Sequence, residues 1–392
     1  MADAEQILRK YLENIIVDLN LINPVVNIKS VSSGGANFTT VLYSVKIAPD
    51  SKDAVNLFAK VAALGDKMRT AMPMRVYEVE HRAYTELLKK YQHLEIINNV
   101  PDEHKLQIPK YYGSSIKVME EIMILEDLTV QGYTVYDRLK SIDWEYAATA
   151  IEEMAKLHAL SFAYGVAEPE EFKDLVKDLE FEWVMNDEQA KSFWDNILLS
   201  GIESTREENK ELLKDFFSTF DGGRKFLEYY EPLRRCALIH RDFRISNLMH
   251  KVESDGRIRV KIVDYQTLQG GSPVIDILYF IFTGSDVKFR AEYYHKLIDH
   301  YYSQLSQAMQ RLGLNPENTY SREDFYFELK EKLPFGLAIA IFSLPLVMVE
   351  AENAPKVDEN LDLTSLSVVN TSDLFRERIN GVVDDFIRWG II

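Results

Sequence analysis

The sequence contains little cysteine and no excess of positive charge, and both shortages narrow the classes of protein that it can encode. Its 392 residues include one cysteine, Cys236, so an intrachain disulfide and a metal site built from several cysteines are excluded. A single cysteine fits a reducing compartment, and we expect a cytoplasmic location. The formal net charge is −17 at pH 7, so no basic field is available to hold a nucleic acid or an anionic membrane.

The sequence also lacks an apolar run long enough to cross a membrane comfortably. The longest run, from Phe335 to Val349, contains Pro345 and predicts a helix in the protein core. Residues 1–21 mix charged with apolar side chains and lack the apolar segment of a signal peptide, so we expect an amphipathic helix over residues 2–21. With 46% apolar and 27% charged residues, the composition is that of an ordinary globular protein, long enough for two lobes.

The most informative stretch, from His240 to Gln266, contains a predicted β-hairpin. Residues 248–252 and 258–263 have the apolar content of two short strands, and the Asp-Gly pair between them is typical of a tight turn. Antiparallel pairing brings the residue before the first strand next to the residue after the second. Asn247 and Asp264 are therefore expected to be neighbours.

The side chains at this end of the hairpin have the chemistry of phosphoryl transfer. The carboxylate of Asp264 and the amide oxygen of Asn247 suit Mg²⁺, a hard cation that keeps waters and shares phosphate oxygens. Asp242 precedes Asn247 by five residues and can position or deprotonate a hydroxyl group. One aspartate after a strand is usually a turn or a cap, but the whole set follows the H-R-D-x-x-x-x-N spacing of kinases. The sequence predicts ATP and Mg²⁺ as cofactors.

A lysine and a glutamate in the first part of the chain are the expected phosphate-binding pair. Lys60 is a cation inside an apolar strand predicted over residues 54–62; the alternative is a lysine that protects an exposed sheet edge. Glu80 lies on the apolar face of a helix predicted over residues 72–91, where an unpaired carboxylate is costly. Lys60 is the obvious partner, and such a pair can present an ammonium group to the α- and β-phosphates.

Two further segments could contact the nucleotide through their backbone. The sequence has no G-x-G-x-x-G motif, but Gly34 and Gly35 follow a predicted strand, and glycine lets backbone N–H groups approach phosphates closely. Two glycines between strands are also common in an ordinary hairpin. The backbone from Glu126 to Leu128 forms the expected hinge, where it can bond an adenine edge. The side chains of Glu126 and Asp127 could equally be solvated.

The order of predicted elements indicates an α+β protein with two lobes. Five strands and the helix over residues 72–91, with the first helix packed outside them, predict a small lobe over residues 1–128. Mainly helical segments predict a larger lobe over residues 129–392. Only eleven residues separate Asp264 from Asp276, too few for the platform on which protein kinases bind a peptide. We therefore expect a small-molecule acceptor and no protein substrate. His158 lies beside the apolar face of a predicted helix, and a histidine there is more often a core residue than a catalyst.

The complete set of motifs resembles the ecdysteroid kinase-like family, also described as CHK kinase-like, whose relatives are choline kinases and aminoglycoside phosphotransferases. The resemblance implies a bilobal protein kinase-like fold and ATP-dependent phosphorylation of a hydroxyl, in the founding case an ecdysteroid. Choline, ethanolamine or a xenobiotic is the alternative acceptor, and an inactive ligand-binding relative is the alternative function. The matching segments are Asn37 to Tyr43, Lys60, Glu80, Tyr84, Leu125 to Leu128, Leu157 to Phe162, His240 to Asn247, Val263 to Gln266, and Asp276.

The resemblance also implies a role for each site residue. Asp242 is the catalytic base or orienting group, Asn247 and Asp264 are the Mg²⁺ ligands, and Lys60 contacts phosphate while Glu80 holds it. The catalytic loop, His240 to Asn247, departs from the usual family pattern His-Gly-Asp-Leu-Trp-x-Asn-Asn.

The departures include two arginines, Arg241 and Arg244. Arg244 falls where protein kinases keep a lysine near the γ-phosphate, so it could stabilise the transferred group or be a surface residue. Because this loop borders the acceptor, the departures bear on which alcohol is bound.

Overall fold

The computed structural model describes most of the chain. The described residues are 4–32, 39–50, 52–63, 65, 69, 75–180, 187–221, 223–349 and 372–392. Gly34 and Gly35 lie outside them, so the predicted contact of these glycines with phosphates stays a prediction.

Five antiparallel strands form the sheet of the smaller lobe. Their bounds are Val25–Val31 (β1), Thr40–Ala48 (β2), Val55–Ala62 (β3), Tyr111–Ser115 (β4) and Ile122–Glu126 (β5). They lie in the order β1-β2-β3-β5-β4, so β3 pairs with β2 on one side and with β5 on the other. Because Lys60 lies on this central strand, the alternative that it protects a sheet edge is wrong.

The first helix covers one face of this sheet. It spans Ala4–Asp18 (α1), which confirms the predicted amphipathic helix with slightly shorter bounds. Its apolar stripe packs in one buried cluster with alternate residues of β3, namely Leu57, Ala59 and Val61. Since side chains of a strand alternate between faces, Lys60 points to the opposite face, where it lines a cleft between the lobes.

A long helix packs on the side of the sheet that carries Lys60. Its parts are Val76–Arg82 (α2), a π-helical turn over Ala83–Leu87, and Leu88–Ile97 (α3). It continues beyond the predicted end at Tyr91, because the backbone first becomes left-handed at Asn99, with φ 52°. The predicted apolar face is confirmed, and its members are all buried: Val76, Glu80, Ala83 and Leu87.

The larger lobe is mainly helical. Its first helix, Trp144–Ala167 (α4), is capped as predicted by Asp143, whose side chain accepts a hydrogen bond from the backbone N–H of Tyr146. The helix extends past the predicted end near Phe162, because the next proline, at which a helix can restart, is Pro169. The other helices are Pro169–Asp178 (α5), Asp187–Glu203 (α6), Glu207–Phe217 (α7), Arg224–Glu228 (α8), Val274–Gly284 (α9), Val287–Arg311 (α10), Pro316–Thr319 (α11), Arg322–Lys332 (α12), Pro334–Val347 (α13) and Asp373–Arg388 (α14).

Two small sheets support the loop that follows His240. The strands are Thr134–Val135 (β6), Ala237–Ile239 (β7), Leu248–Val252 (β8), Ile258–Ile262 (β9) and Gln269–Gly271 (β10). β8 and β9 form the predicted hairpin, with Leu248 opposite Ile262, and β6 joins them as the third strand. β7 pairs with β10, a pairing that the sequence does not predict.

The core of the larger lobe surrounds two apolar helices. Every residue of α9 is buried, and α13 confirms the core helix predicted from the longest apolar run. Among the described residues, none of the helices combines the length and the hydropathy that a membrane span requires. The five-stranded lobe and the helical lobe together form the predicted α+β, bilobal, protein kinase-like fold. The division after residue 128 stays a prediction.

Candidate active site

The loop after β7 is fixed to the core by one buried carboxylate. Asp276 of α9 accepts hydrogen bonds from the backbone N–H groups of His240 and Arg241, each at 2.8 Å. Its own position is set by His158, whose Nε2 lies 3.1 Å from Asp276 Oδ2 and whose Nδ1 lies 2.7 Å from Tyr301 Oη. His158 is fully buried, so its interpretation as a core residue is confirmed. The anchoring role of Asp276 is not apparent from the sequence.

Three polar side chains of this loop form one hydrogen-bonded group. Asn247 Nδ2 donates to the backbone carbonyl and to Oδ2 of Asp242, both at 2.9 Å. Arg244 Nε donates to the same carboxylate, at 3.0 Å from Oδ1 and 3.1 Å from Oδ2. The predicted proximity of Asp242 and Asn247 is confirmed. Arg244 is only 12% exposed, so the alternative of a surface residue is wrong, and its guanidinium neutralises the candidate base.

The hairpin brings Asp264 to the same place from the other strand. The backbone N–H of Val263 donates to the carbonyl of Asn247 at 3.0 Å, which extends the ladder by one pair and puts Asp264 beside the loop. Asp264 has a left-handed backbone, with φ 69°, in a region where residues other than glycine are uncommon and often functional. Asn247 and Asp264 line the same cavity, as predicted.

Lys60 connects the two lobes at this point. Its Nζ lies 2.8 Å from Glu80 Oε1 and 2.7 Å from Asp264 Oδ1. The predicted Lys60–Glu80 pair is confirmed. The second ion pair, with Asp264, is absent from the sequence-based predictions because it joins residues that are far apart in the chain.

Burial and charge act in opposite directions on this ion-pair group. Burial alone would lower the pKa of Lys60, but the carboxylates of Asp264 and Glu80 raise it above its ordinary value. Burial alone would raise the pKa of Asp264, but Lys60 holds it below its ordinary value. Burial raises the pKa of Glu80, although Lys60 lies beside it. Lys60 and Asp264 are therefore both charged at neutral pH.

A cavity of about 680 Å³ separates the lobes above this group. Lys60, Asn247 and Asp264 line one end, and the predicted hinge from Glu126 to Leu128 lines the other. The Glu126 carboxylate accepts a bond from Lys261 Nζ at 2.6 Å, so this side chain is paired within the protein. The volume is in the range of small-molecule and cofactor sites.

Asp127 differs from the other hinge residues. It is 1% exposed, its Oδ2 accepts a hydrogen bond from Ser44 Oγ at 2.7 Å, and its Oδ1 accepts one from the backbone N–H of Thr129. The alternative that the Asp127 side chain is solvated is therefore wrong. The carboxylate shapes the turn that follows β5.

The oxygen atoms at the cavity floor fit a hard divalent cation. Because Asn247 Nδ2 is engaged by Asp242, the amide presents Oδ1 on its other side. Asp264 Oδ2 accepts a long bond of 3.2 Å from Gln266 Nε2. Within the described ranges, no group of three His, Cys, Asp or Glu side chains converges on one point. An amide oxygen and a carboxylate oxygen suit Mg²⁺, which takes one or two protein ligands and completes its shell with phosphate oxygens and water.

A second cavity, of about 520 Å³, lies on the other side of the catalytic loop. Asp242 forms part of its wall, together with Arg241 from the same loop. The remaining walls come from residues 266–269, which follow Asp264, and from helical segments distant in sequence, and they are rich in aromatic rings. These rings belong to Trp194, Phe226, Tyr230, Tyr279 and Phe342. The aromatic content of residues 168–234 was the only sequence signal for this cavity.

The chain is similar to known proteins in sequence and in structure. No curated protein matches the chain. Among solved structures, the chain is similar to an ethanolamine kinase of Plasmodium vivax (13% identity, TM-score 0.49, 98% of this chain and 90% of that one). It is also similar to a choline kinase from Streptococcus pneumoniae (10%, 0.36, 84% and 99%) and to the GDP complex of an aminoglycoside 2′-phosphotransferase (11%, 0.38, 84% and 97%). Residues 34–314, more than half of the chain, match the ecdysteroid kinase-like family, and the protein belongs to that family.

Proposed function

We propose that the protein is an ATP- and Mg²⁺-dependent small-molecule kinase that phosphorylates a hydroxyl of an ecdysteroid or a similar apolar alcohol. One observation carries the proposal. Asp242 lines the aromatic cavity, whereas Asn247 and Asp264 line the cavity between the lobes, and the bond from Asn247 to Asp242 joins the two. A base facing one cavity and phosphate-binding groups facing the other are what transfer from a nucleotide to an alcohol requires.

In the proposed reaction, Asp242 accepts the proton of the acceptor hydroxyl. The hydroxyl oxygen forms a bond to the γ-phosphorus while the bond from that phosphorus to the bridging oxygen breaks, and ADP leaves with the electron pair. Asn247 and Asp264 would hold Mg²⁺, which supplies neutralisation of phosphate charge when it is bound. Lys60, kept in place by Glu80, would bind the α- and β-phosphates.

Positioning accounts for the remaining residues. Asp276 fixes the backbone on the N-terminal side of Asp242, which orients the base without contact with substrate. Arg244 contacts the base and would lie near the transferred group, where a cation stabilises developing negative charge. The aromatic walls of the second cavity support an apolar acceptor rather than a strongly hydrated one.

A thermal-shift titration followed by an ADP-release assay tests the proposal. A ligand that binds only the native state raises the free energy of unfolding by about 2.7 kcal/mol at a hundredfold excess over Kd, and the melting midpoint rises with it. We expect a shift with MgATP that EDTA removes, and a smaller shift with MgGTP. We then expect ADP release that depends on a hydroxylated steroid. No shift at millimolar MgATP would refute the kinase function, and ADP release with choline or ethanolamine alone would refute the apolar acceptor.

A further inference from the structure

Arg241 is a cation in the wall of the aromatic cavity. Its guanidinium carbon lies 4.4 Å from the centre of the Tyr230 ring, and its backbone N–H is fixed by Asp276. The next residue is the candidate base, Asp242, which lines the same cavity. A single small molecule in this cavity can therefore meet both the base and the guanidinium.

The backbone of Arg241 adds a second observation. Its φ is 67°, in the left-handed region where a side chain with a Cβ atom is strained and glycine is not. Strained residues of this kind are held by their surroundings and concentrate at functional sites. The left-handed backbone therefore occurs at Arg241, whose cationic side chain lines the cavity.

The charges of the cavity wall favour a negative ligand. Arg75 and Lys177 line it with Arg241, whereas the acidic side chains in the wall are Glu180 and Asp242. Burial lowers the pKa of Arg241, because a cation loses hydration there, and a carboxylate of the ligand would add to the stabilisation that Asp242 already provides. A guanidinium held over an aromatic ring is weakly hydrated and matches a carboxylate with two parallel N–H bonds.

We propose that Arg241 selects an acceptor that carries a carboxylate, in addition to its reacting hydroxyl, on an apolar framework. This inference rests on the proposed function, which assigns the aromatic cavity to the acceptor. Among the apolar alcohols of the proposed function, it favours hydroxy acids over neutral alcohols such as an ecdysteroid. A cationic alcohol would meet the like charge of Arg241 beside the base and bind less well.

A matched pair of ligands tests the inference by calorimetry on the full chain with MgADP bound. Cholate is a hydroxylated steroid carboxylate, and its methyl ester has the same framework without the charge. We expect the wild-type protein to bind cholate about tenfold more tightly than the ester, as for one charge-assisted hydrogen-bonded pair. In Arg241→Gly this ratio should fall to about one, since the guanidinium is lost while glycine relieves the backbone strain.

Two further variants separate this role from a structural one. Arg241→Lys keeps the charge without the planar fork and should give an intermediate ratio. Arg257→Gly makes the same substitution at an exposed arginine of the β8–β9 turn and should keep the wild-type ratio. In the ADP-release assay, Arg241→Gly should raise the KM for the acid more than the KM for the ester.

The inference and the proposed function fail in different ways. Equal binding of acid and ester to the wild-type protein, an unchanged ratio in Arg241→Gly, or no binding of either ligand while MgADP binds would overturn the inference alone. Absence of a MgATP-dependent thermal shift would overturn the proposed function, whichever ligand occupies the aromatic cavity.

Discussion

At the scale of single residues, Lys60 stands between two carboxylates that would otherwise repel each other. Its side chain is 13% exposed, and those of Glu80 and Asp264 are 4% and 18% exposed. Removing one partner of a buried ion pair leaves an uncompensated charge, which is more costly than the loss of the attraction itself. Without Lys60, two carboxylates would share the cavity floor.

Lys60→Ala should therefore lower the free energy of unfolding by about 3–5 kcal/mol and weaken the productive use of ATP. Urea denaturation measures the first effect, and kcat/KM for ATP measures the second. Lys46→Ala, at an exposed lysine on the neighbouring strand β2, is the control. A loss of stability no larger than that of the control would contradict the bridging role, and an unchanged kcat/KM in Glu80→Gln would contradict the role of the pair.

Asp242→Asn should reduce turnover by about 10²–10⁴-fold, the usual contribution of a positioned general base. Binding of MgATP should be nearly kept, because Asp242 lines the aromatic cavity and not the cavity between the lobes. The thermal shift with MgATP and the rate of ADP release measure the two properties separately. Asp255→Asn, at the exposed turn of the hairpin, is the matched control, and full activity of Asp242→Asn would exclude the proposed mechanism.

Contacts among the site residues could be predicted from the sequence where the residues are brought together by local structure. The pairing of β8 with β9 follows from a tight turn, so it places Asn247 and Asp264 together. The bond between Lys60 and Asp264 could not be predicted in this way, because it depends on how the two lobes close. The contact of Arg244 with Asp242 depends on rotamers that spacing does not determine.

At the scale of elements, two helices use buried carboxylates to hold the segment before β4. Glu95 of α3 accepts the backbone N–H of Leu106 at 2.7 Å, and Glu153 of α4 accepts that of Gln107 at 3.1 Å. Burial raises the pKa of Glu95 to about 7, against the bond from Leu106 and the charges of Lys105 and Lys156, with Glu153 adding to the rise. The charged form of Glu95 is thus disfavoured in the folded protein.

This raised pKa predicts a stability that depends on pH. Because the folded pKa lies above the unfolded value of 4.5, the stabilisation from protonated Glu95 is present below pH 4.5 and is lost as the pH rises to about 7. Glu95→Gln mimics the neutral form, so its advantage over wild type should grow across this window, to about 1 kcal/mol after allowance for solvent screening, and stay constant above it. Melting curves from pH 4 to 8 measure the difference, with the exposed Glu103→Gln as control. A constant difference over this window would contradict the titration of Glu95.

Element bounds were predicted less accurately than element identity. Both α3 and α4 extend beyond their predicted ends, to Ile97 and Ala167, because helix periodicity shows which face is buried but not where packing ceases to support another turn. The pairing of β7 with β10 joins strands only three residues long, which are too short to show the alternation of apolar and polar residues that identifies a strand.

At the scale of the whole molecule, a net charge of −17 opposes the approach of an anionic nucleotide. The repulsion is long-range and is screened beyond about 10 Å at 0.1 M ionic strength, whereas the attraction of Lys60 acts only after entry into the cavity. The association rate of ATP should therefore rise by about two- to fivefold as ionic strength increases from about 10 to 150 mM. Stopped-flow fluorescence with a labelled ATP measures this rate. A labelled neutral adenosine should show no dependence, and a rate for ATP that falls with salt would show that local cations dominate the field.

The aromatic cavity marks the limit of prediction from the sequence at this scale. Its walls combine Leu179, Trp194, Phe226 and Phe342, which come from segments spread over more than a third of the chain. In the sequence, each of these residues is an ordinary apolar residue of a predicted helix. Only the packing of the helices brings them to the same cavity. The class of reaction could therefore be predicted from local motifs, whereas the shape of the acceptor site could not.

Among the described residues, the two cavities share no lining side chain; hydrogen bonds from Asn247 to Asp242 and from Gln266 to Asp264 connect their walls. Substitutions in the aromatic wall can therefore accumulate without altering the groups that face the nucleotide. For protein engineering, this makes the wall a separable module: a library confined to it would sample new alcohols while every member inherits the same phosphate donor. The same separation gives a duplicated gene a short route to a new substrate, because recognition can drift while the chemistry is retained.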